Sequence, residues 1–148
     1  MRQARDLSVA QRQVYYVTFS TAVQPNTVSI TQGSTGTVVN TYTLPTDLAF
    51  QALGGLPTGA GKTPDGFGAG TTAIDFDQGV VAGIKNQIYF QPDGSAQDVN
   101  GNTNNGVIYI ARTGYLYSSH AITLWGATGR MRGWRLYQNL NTPYWRQM

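Results

Sequence analysis

The chain has 148 residues, of which 11% are charged and 18 are glycine. This length fits one domain with a substantial core, and low charge with many glycines favours a β-rich fold. With no cysteine, disulfides and thiolate metal sites are excluded, and a net charge of +3 is unevenly spread, since residues 112–148 hold five arginines and no acid. Such a basic end indicates either an acidic or polyanionic partner or a solvated face.

The first predicted element is a helix over residues 1–13. This segment lacks glycine and proline, and its apolar residues recur every three or four positions, as on one helix stripe: Ala4, Leu7, Ala10 and Val14. A helix this short is unstable alone in water, so we expect it to lie on the rest of the fold. Residues 14–148 then form the β-domain of a single-domain protein.

Residues after the helix are rich in β-branched and aromatic side chains. Three strands of an antiparallel meander are predicted, separated by Pro-Asn and Gly-rich turns: Val14–Phe19, Thr27–Thr31 and Thr37–Leu44. After Pro45, the pair Thr46-Asp47 predicts a brief capped helical turn through Phe50 and Leu53.

Residues Gly54–Gly70 are predicted to form a long, Gly-rich surface loop. Within it, Leu56–Thr63 nearly spells a phosphate-binding loop. That motif requires glycine at the position of Leu56 and a helix beginning at Lys62. Pro64 follows at once, so we interpret the segment as loop and not as a nucleotide site.

The second half of the chain contains further strand-like runs. They are Ala73–Phe76, Val80–Ile84, Ile88–Gln91, Val107–Arg112, Ile122–Trp125 and a run starting near Arg130. We expect the last four of these to form one antiparallel sheet. The tail Gln138–Met148 is expected to be pinned to the body by Tyr144 and Trp145.

Three segments resemble metal or catalytic sites without meeting their requirements. The segment Asp98–Asn104 alternates oxygen-bearing side chains, but Tyr109 stands where a calcium loop needs glutamate. Asp75 and Asp77 share a strand face with no acid or base partner, and we interpret them as surface residues. His120 is the only histidine, and no nucleophile-elbow motif accompanies it. The sequence therefore predicts no catalytic residue, metal site or cofactor.

The basic strand near the C-terminus has the chemistry of a nucleic-acid surface. On an extended strand Arg130, Arg132 and Trp134 project to one face, and Arg135 and Arg146 would widen it. Guanidinium groups pair with phosphates and an indole can stack on a base. The alternatives are a solvated edge strand with Trp134 in the core, and a bulge at Gly133 that reverses the alternation.

Several pieces of the chain, in their order, resemble one family. These are Phe90, Pro92 to Ala96, Gly106 to Ile110, and Gly129 to Arg132. The order of a Phe-x-Pro-Asp-Gly-Ser-Ala turn, a Gly-x-Ile-x-Ile strand and a late Gly-Arg-x-Arg resembles the globular half of GspH/FimT-type pseudopilins and minor pilins. The resemblance implies an α+β, pilin-like fold, in which residues 1–13 end a long spine helix packed on a mostly antiparallel β-domain of two small sheets.

The resemblance also implies a function and a location. It predicts a non-enzymatic structural subunit of a type IV pilus or a type II secretion pseudopilus, with other pilin subunits as partners. An apolar helix preceding Met1 would anchor it in the inner membrane, within the bacterial cell envelope or an extracellular filament. The alternative is a DNA-binding minor pilin for natural transformation, in which Arg130 and Arg132 contact DNA. A phage or surface structural β-protein is a further hypothesis.

Overall fold

The computed structural model describes residues 1–78 and 86–148, so the predicted strand Val80–Ile84 lies outside the described residues. The described residues form an α+β fold with one α-helix and eleven strands in two sheets. The elements are α1 Arg2–Gln11, β1 Tyr15–Ser20, β2 Thr27–Gln32, β3 Val38–Thr43, β4 Leu48–Phe50, β5 Ile74–Phe76, β6 Gln87–Phe90, β7 Ala96–Gln97, β8 Gly106–Arg112, β9 His120–Trp125, β10 Arg130–Asn139 and β11 Thr142–Gln147.

The first sheet has the order β3-β2-β1-β6-β7, and the second has the order β11-β10-β9-β8-β4 with β5 also paired to β8. All pairings between the named strands are antiparallel. The predicted meander is confirmed as β1, β2 and β3. Alternate residues of β1, including Val17 and Phe19, are buried between the sheets, as expected for a half-buried strand.

The prediction that the last four strand-like runs form one sheet is wrong for the first of them. The strand at Ile88 is β6, which pairs with β1 in the first sheet, and Tyr89 lies beside Tyr16 with ring centroids 5.1 Å apart. The Pro-Asp-Gly turn returns the chain into the short strand β7, which takes the place beside β6. The chain then crosses to the second sheet before β8 begins.

The predicted helical turn through Phe50 and Leu53 is also wrong. Residues Leu48–Phe50 form β4, which pairs with β8, and the Phe50 N–H donates to the side-chain oxygen of Asn26 at 2.8 Å. An extended backbone places the Phe50 ring edge-on to Phe19, 5.6 Å away between centroids. Burial of that ring outweighs the weak local preference for a capped turn.

The predicted N-terminal helix is confirmed and lies against β1 and β6. Its buried face contains Ala4 and Ser8, with Leu7 packed on the same core. It ends where Arg12 adopts a left-handed conformation with φ of 52°. In the part of the chain that the structure describes, no helix has the length and hydropathy needed to span a bilayer.

The segment Gly54–Gly70 is a loop, as predicted, and its one regular piece is a 3₁₀ turn at Pro64–Gly66. The loop covers part of the second sheet, because Leu56 is buried in a cluster with Tyr109, Ala121 and Leu136. Trp145 packs on this cluster from β11, so the tail is held against the body as expected. The tail forms a complete strand paired with β10, which was not predicted from the sequence.

Candidate functional site

The arginine-rich residues of β10 and β11 lie on two opposite faces of the second sheet. The register between β9 and β10 runs without a shift from Arg130 to Arg135, so Gly133 does not reverse the alternation. Arg130, Arg132 and Trp134 therefore share one face, as predicted. Arg135 points to the other face, and Arg146 lies directly opposite it on β11. The predicted extension of one surface by Arg135 and Arg146 is wrong.

Arg132 is held by an acid from the Gly-rich loop. Its guanidinium forms an ion pair with Asp65, whose side chain is only 5% exposed. The same carboxylate accepts hydrogen bonds from the Thr123 hydroxyl and from the Trp125 indole N–H, the latter at 3.3 Å. We call Asp65, Arg132, Thr123 and Trp125 the loop anchor. It fastens the loop to the face of the sheet that carries the Gly-Arg-x-Arg segment.

The loop anchor leaves little of the predicted nucleic-acid face exposed. Trp134 is half-buried, and its indole N–H donates to the Thr123 hydroxyl at 3.1 Å. The Arg132 Nε is buried and has no hydrogen-bond partner among the described residues. Of the three residues on this face, Arg130 alone is exposed. The alternative of a solvated edge strand with Trp134 in the core is correct only for Trp134, which packs on the buried cluster. The strand β10 is not an edge strand, because β9 and β11 pair with it on either side.

The opposite face carries an exposed group of two arginines and two tyrosines. The guanidinium carbons of Arg135 and Arg146 lie 5.4 and 6.0 Å from the centroid of the Tyr137 ring. Tyr144 pairs with Tyr137 across the hairpin, with ring centroids 6.1 Å apart. We call these four residues the hairpin patch. The electron-rich face of the ring attracts a cation at such a distance, and both arginines are exposed.

The arginines of residues 112–148 differ in whether they form an ion pair with an acidic side chain. Within residues 1–78 and 86–148, the ion pairs are Arg132 with Asp65 and Arg112 with Asp47. Arg130, Arg135 and Arg146 have no acidic partner in that part of the chain. Among the C-terminal arginines, the uncompensated positive charge thus lies at the hairpin patch and at the start of β10.

Two motifs of the resemblance meet at one junction with the helix. Arg5 donates from Nε to the carbonyl oxygen of Gly94 at 3.3 Å and from a terminal nitrogen to the carbonyl oxygen of Thr128 at 3.2 Å. Gly94 belongs to the Pro-Asp-Gly turn, and Thr128 precedes the Gly-Arg-x-Arg segment. The Ser8 hydroxyl lies 3.0 Å from the carbonyl oxygen of Gln91. We call this set of contacts the helix junction.

Gly129 is required by the closeness of the helix junction. Its φ is +61°, and a Cβ built on it would lie 2.1 Å from the carbonyl oxygen of Gly94 and 2.7 Å from Nε of Arg5. A side chain therefore has both an unfavourable backbone conformation and no space. This geometry explains why a glycine precedes the arginines.

The loop that alternates oxygen-bearing side chains is closed by its own aspartate. Both carboxylate oxygens of Asp98 accept hydrogen bonds from Asn100 and Asn102. Burial acts to raise the pKa of Asp98, but these hydrogen bonds outweigh it and lower the pKa below its ordinary value. In the described part of the chain, no group of three acidic, histidine or cysteine side chains is placed to hold a metal ion.

The remaining candidates have local structural partners. Asp75 accepts the N–H of Ala69 and Asp77 accepts the side-chain amide of Asn105, both at 2.8 Å, so each fixes a loop. His120 Nδ1 lies 2.9 Å from the carbonyl oxygen of Ser118 at the start of β9. Lys62 sits in a turn that is followed by Pro64–Gly66 and not by an α-helix.

Sequence reasoning missed Asp65 and the strand β11. Asp65 lies 67 positions from Arg132, and a Pro-Asp-Gly triplet within a loop gives no signal of its partner. The hairpin before β11 turns on Leu140 and Asn141, both with positive φ, as a two-residue hairpin loop requires. Asn141 was a usable signal, but Leu140 rarely adopts this conformation and Pro143 argues against a strand unless it lies at an edge.

The comparisons with known proteins add no relative to this description. No family model, no curated protein and no solved structure matches the chain.

Proposed function

We propose that the protein is the globular head of a GspH/FimT-type minor pilin or pseudopilin, a non-enzymatic structural subunit of a type IV pilus or type II secretion pseudopilus. The observation that supports this best is the helix junction. Through Arg5 and Gly129, both motifs of the resemblance serve to fasten α1 to the β-domain. A subunit whose helix is built into a filament needs its head fixed to that helix.

The proposal assigns partners and location. Other pilin subunits contact the helix and the head, and an apolar segment preceding Met1 anchors the subunit in the inner membrane before assembly. The protein then acts in the cell envelope or in an extracellular filament. Its loops, including Gly54–Gly70 and Asp98–Asn105, face neighbouring subunits or cargo.

A single engineered cysteine tests this assignment, because the chain has none. In the bacterium that encodes the protein, Asn100→Cys at an exposed loop is labelled with a thiol-reactive dye, and surface filaments and envelope complexes are separated after shearing. We expect the label in the filament or the secretion complex. We expect loss of incorporation when Gly129→Ala is added. A labelled protein found outside both, with piliation and secretion unchanged by deletion of the gene, would contradict the proposal.

The hairpin patch favours DNA binding as a second candidate function. Arg135 and Arg146 are exposed, have no acidic partner in the described residues, and flank two tyrosines. Arginine side chains contact phosphates, and the tyrosines offer surfaces for bases. In this candidate Arg130 contributes from the opposite face, whereas Arg132 belongs to the loop anchor and Trp134 packs beside it.

We expect the double substitution Arg135→Gln/Arg146→Gln to reduce duplex DNA affinity at low salt by about ten-fold or more. It should lower the slope of log affinity against log salt by about two, since two phosphate contacts are lost. Fluorescence anisotropy with labelled duplexes measures both quantities. Arg112→Gln is the control, because Arg112 already pairs with Asp47. Equal DNA affinities of the double variant and the control would show that the hairpin patch has no role in DNA binding.

A further inference from the structure

An open cleft lies between the Gly-rich loop and the C-terminal hairpin. Its volume is about 920 Å³, within the range of roughly 300–1,000 Å³ found for small-molecule sites. Trp134 and Trp145 supply aromatic surface on the hairpin side, and Lys62 lies on the loop side. The loop anchor fixes the two sides relative to each other through Asp65 and Arg132. The cleft is thus a formed feature of the fold and not a gap between independent segments.

The polar groups of this cleft are mostly neutral. Hydroxyl groups come from Thr58, Thr63 and Thr142, and the Asp65 carboxylate is compensated by Arg132. Lys62 is the one uncompensated charge among the described residues that line the cleft. A polyanion such as a nucleic acid needs several cations along its path. The near match of Leu56–Thr63 to a phosphate-binding loop therefore does not extend to a nucleotide here.

We propose that this cleft binds a short, neutral or singly anionic saccharide. The flat apolar faces of sugar rings stack on the faces of indole rings, here those of Trp134 and Trp145. The threonine hydroxyls and Lys62 then provide the few hydrogen bonds that orient such a ligand. The inference goes beyond the proposed filament role and does not depend on it, because no residue of the helix junction lines the cleft.

The test uses a variant in which the cleft tryptophans report alone. The chain has three tryptophans, and Trp125 does not line the cleft. In Trp125→Phe, the fluorescence therefore comes from Trp134 and Trp145. Because Trp125 belongs to the loop anchor, each binding result is repeated by calorimetry with the unsubstituted protein. This protein is screened on a printed array of short oligosaccharides, and each oligosaccharide that binds is titrated in solution. We expect at least one to shift the tryptophan emission with saturation.

Two surface substitutions then locate the site without risk to folding. Thr58→Val and Lys62→Ala change exposed side chains of the cleft, and we expect each to weaken binding about ten-fold, the loss of one good contact. Tyr115→Ala, at an exposed tyrosine elsewhere, is the matched control and should bind as Trp125→Phe does. The inference is overturned if no oligosaccharide binds at millimolar concentration, if the cleft variants bind as well as the control, or if a proline-rich peptide alone produces the emission shift.

Discussion

Replacing Asp65 by Ala is expected to lower the free energy of unfolding by about 3 kcal/mol, because it leaves Arg132 partly buried without its counter-charge. The side chain of Asp65 is 5% exposed and that of Arg132 is 25% exposed. The substitution also removes the acceptor of the Thr123 and Trp125 hydrogen bonds. Urea denaturation followed by tryptophan fluorescence measures the loss, and Trp125 should report loosening of the loop below the unfolding midpoint.

Asp47→Ala is the matched control for this prediction. The pair of Asp47 with Arg112 has side chains 47% and 52% exposed, so its loss should cost no more than about 1 kcal/mol. The double variant Asp65→Ala/Arg132→Met should recover part of the stability, since no charge is then left buried. Equal losses for Asp65→Ala and Asp47→Ala would show that the loop anchor contributes nothing beyond a surface ion pair.

Gly129→Ala is expected to destabilise the protein by about 3 kcal/mol. A left-handed alanine costs roughly 1–2 kcal/mol, and the displaced hydrogen bonds of Arg5 add about 1 kcal/mol each. Both effects arise at the helix junction, where the new Cβ would meet the Gly94 carbonyl oxygen. Thermal and urea unfolding measure the change, and amide hydrogen exchange should rise first in α1.

Gly36→Ala separates the backbone cost from the steric cost. Gly36 has a similar φ of +69°, but nothing lies within 4 Å of the position of its Cβ. We expect this control to lose only the conformational part, about 1 kcal/mol. In a double-mutant cycle, Arg5→Ala and Gly129→Ala should lose less together than the sum of their single effects. Additive losses, or equal losses for the two glycines, would remove the helix junction as the explanation.

The elements that depend on local sequence patterns could be predicted from the sequence. The apolar spacing of α1 and the alternation in β1 follow from one helix face or one strand face being buried, and the continuous apolar run of β8 follows from burial of both of its faces. A short window reveals each of these patterns. The sheet that contains β6 was not readable in this way, because pairing with β1 joins residues such as Tyr16 and Tyr89 across many intervening positions. The β4 strand was missed because burial of Phe50 overrode a plausible local cap.

In the candidate site too, local strand geometry could be predicted from the sequence and long-range contacts could not. The face shared by Arg130, Arg132 and Trp134 was predictable from strand geometry alone. Whether Arg132 remains exposed depended on Asp65, a distant residue in a loop without regular structure. The position of Arg146 depended on a hairpin that turns on Leu140 with φ of +45°. Charge counts located a basic end correctly, but they did not separate compensated from uncompensated arginines.

The contacts of α1 determine how a mechanical load on the helix would spread. Ser8 and Arg5 hold Gln91 and Gly94, which follow β6 in the first sheet, while Arg5 also holds Thr128, which precedes β10 in the second. A load applied to the helix would therefore reach both sheets through these bonds. We expect the two sheets to resist such a load together and not one after the other.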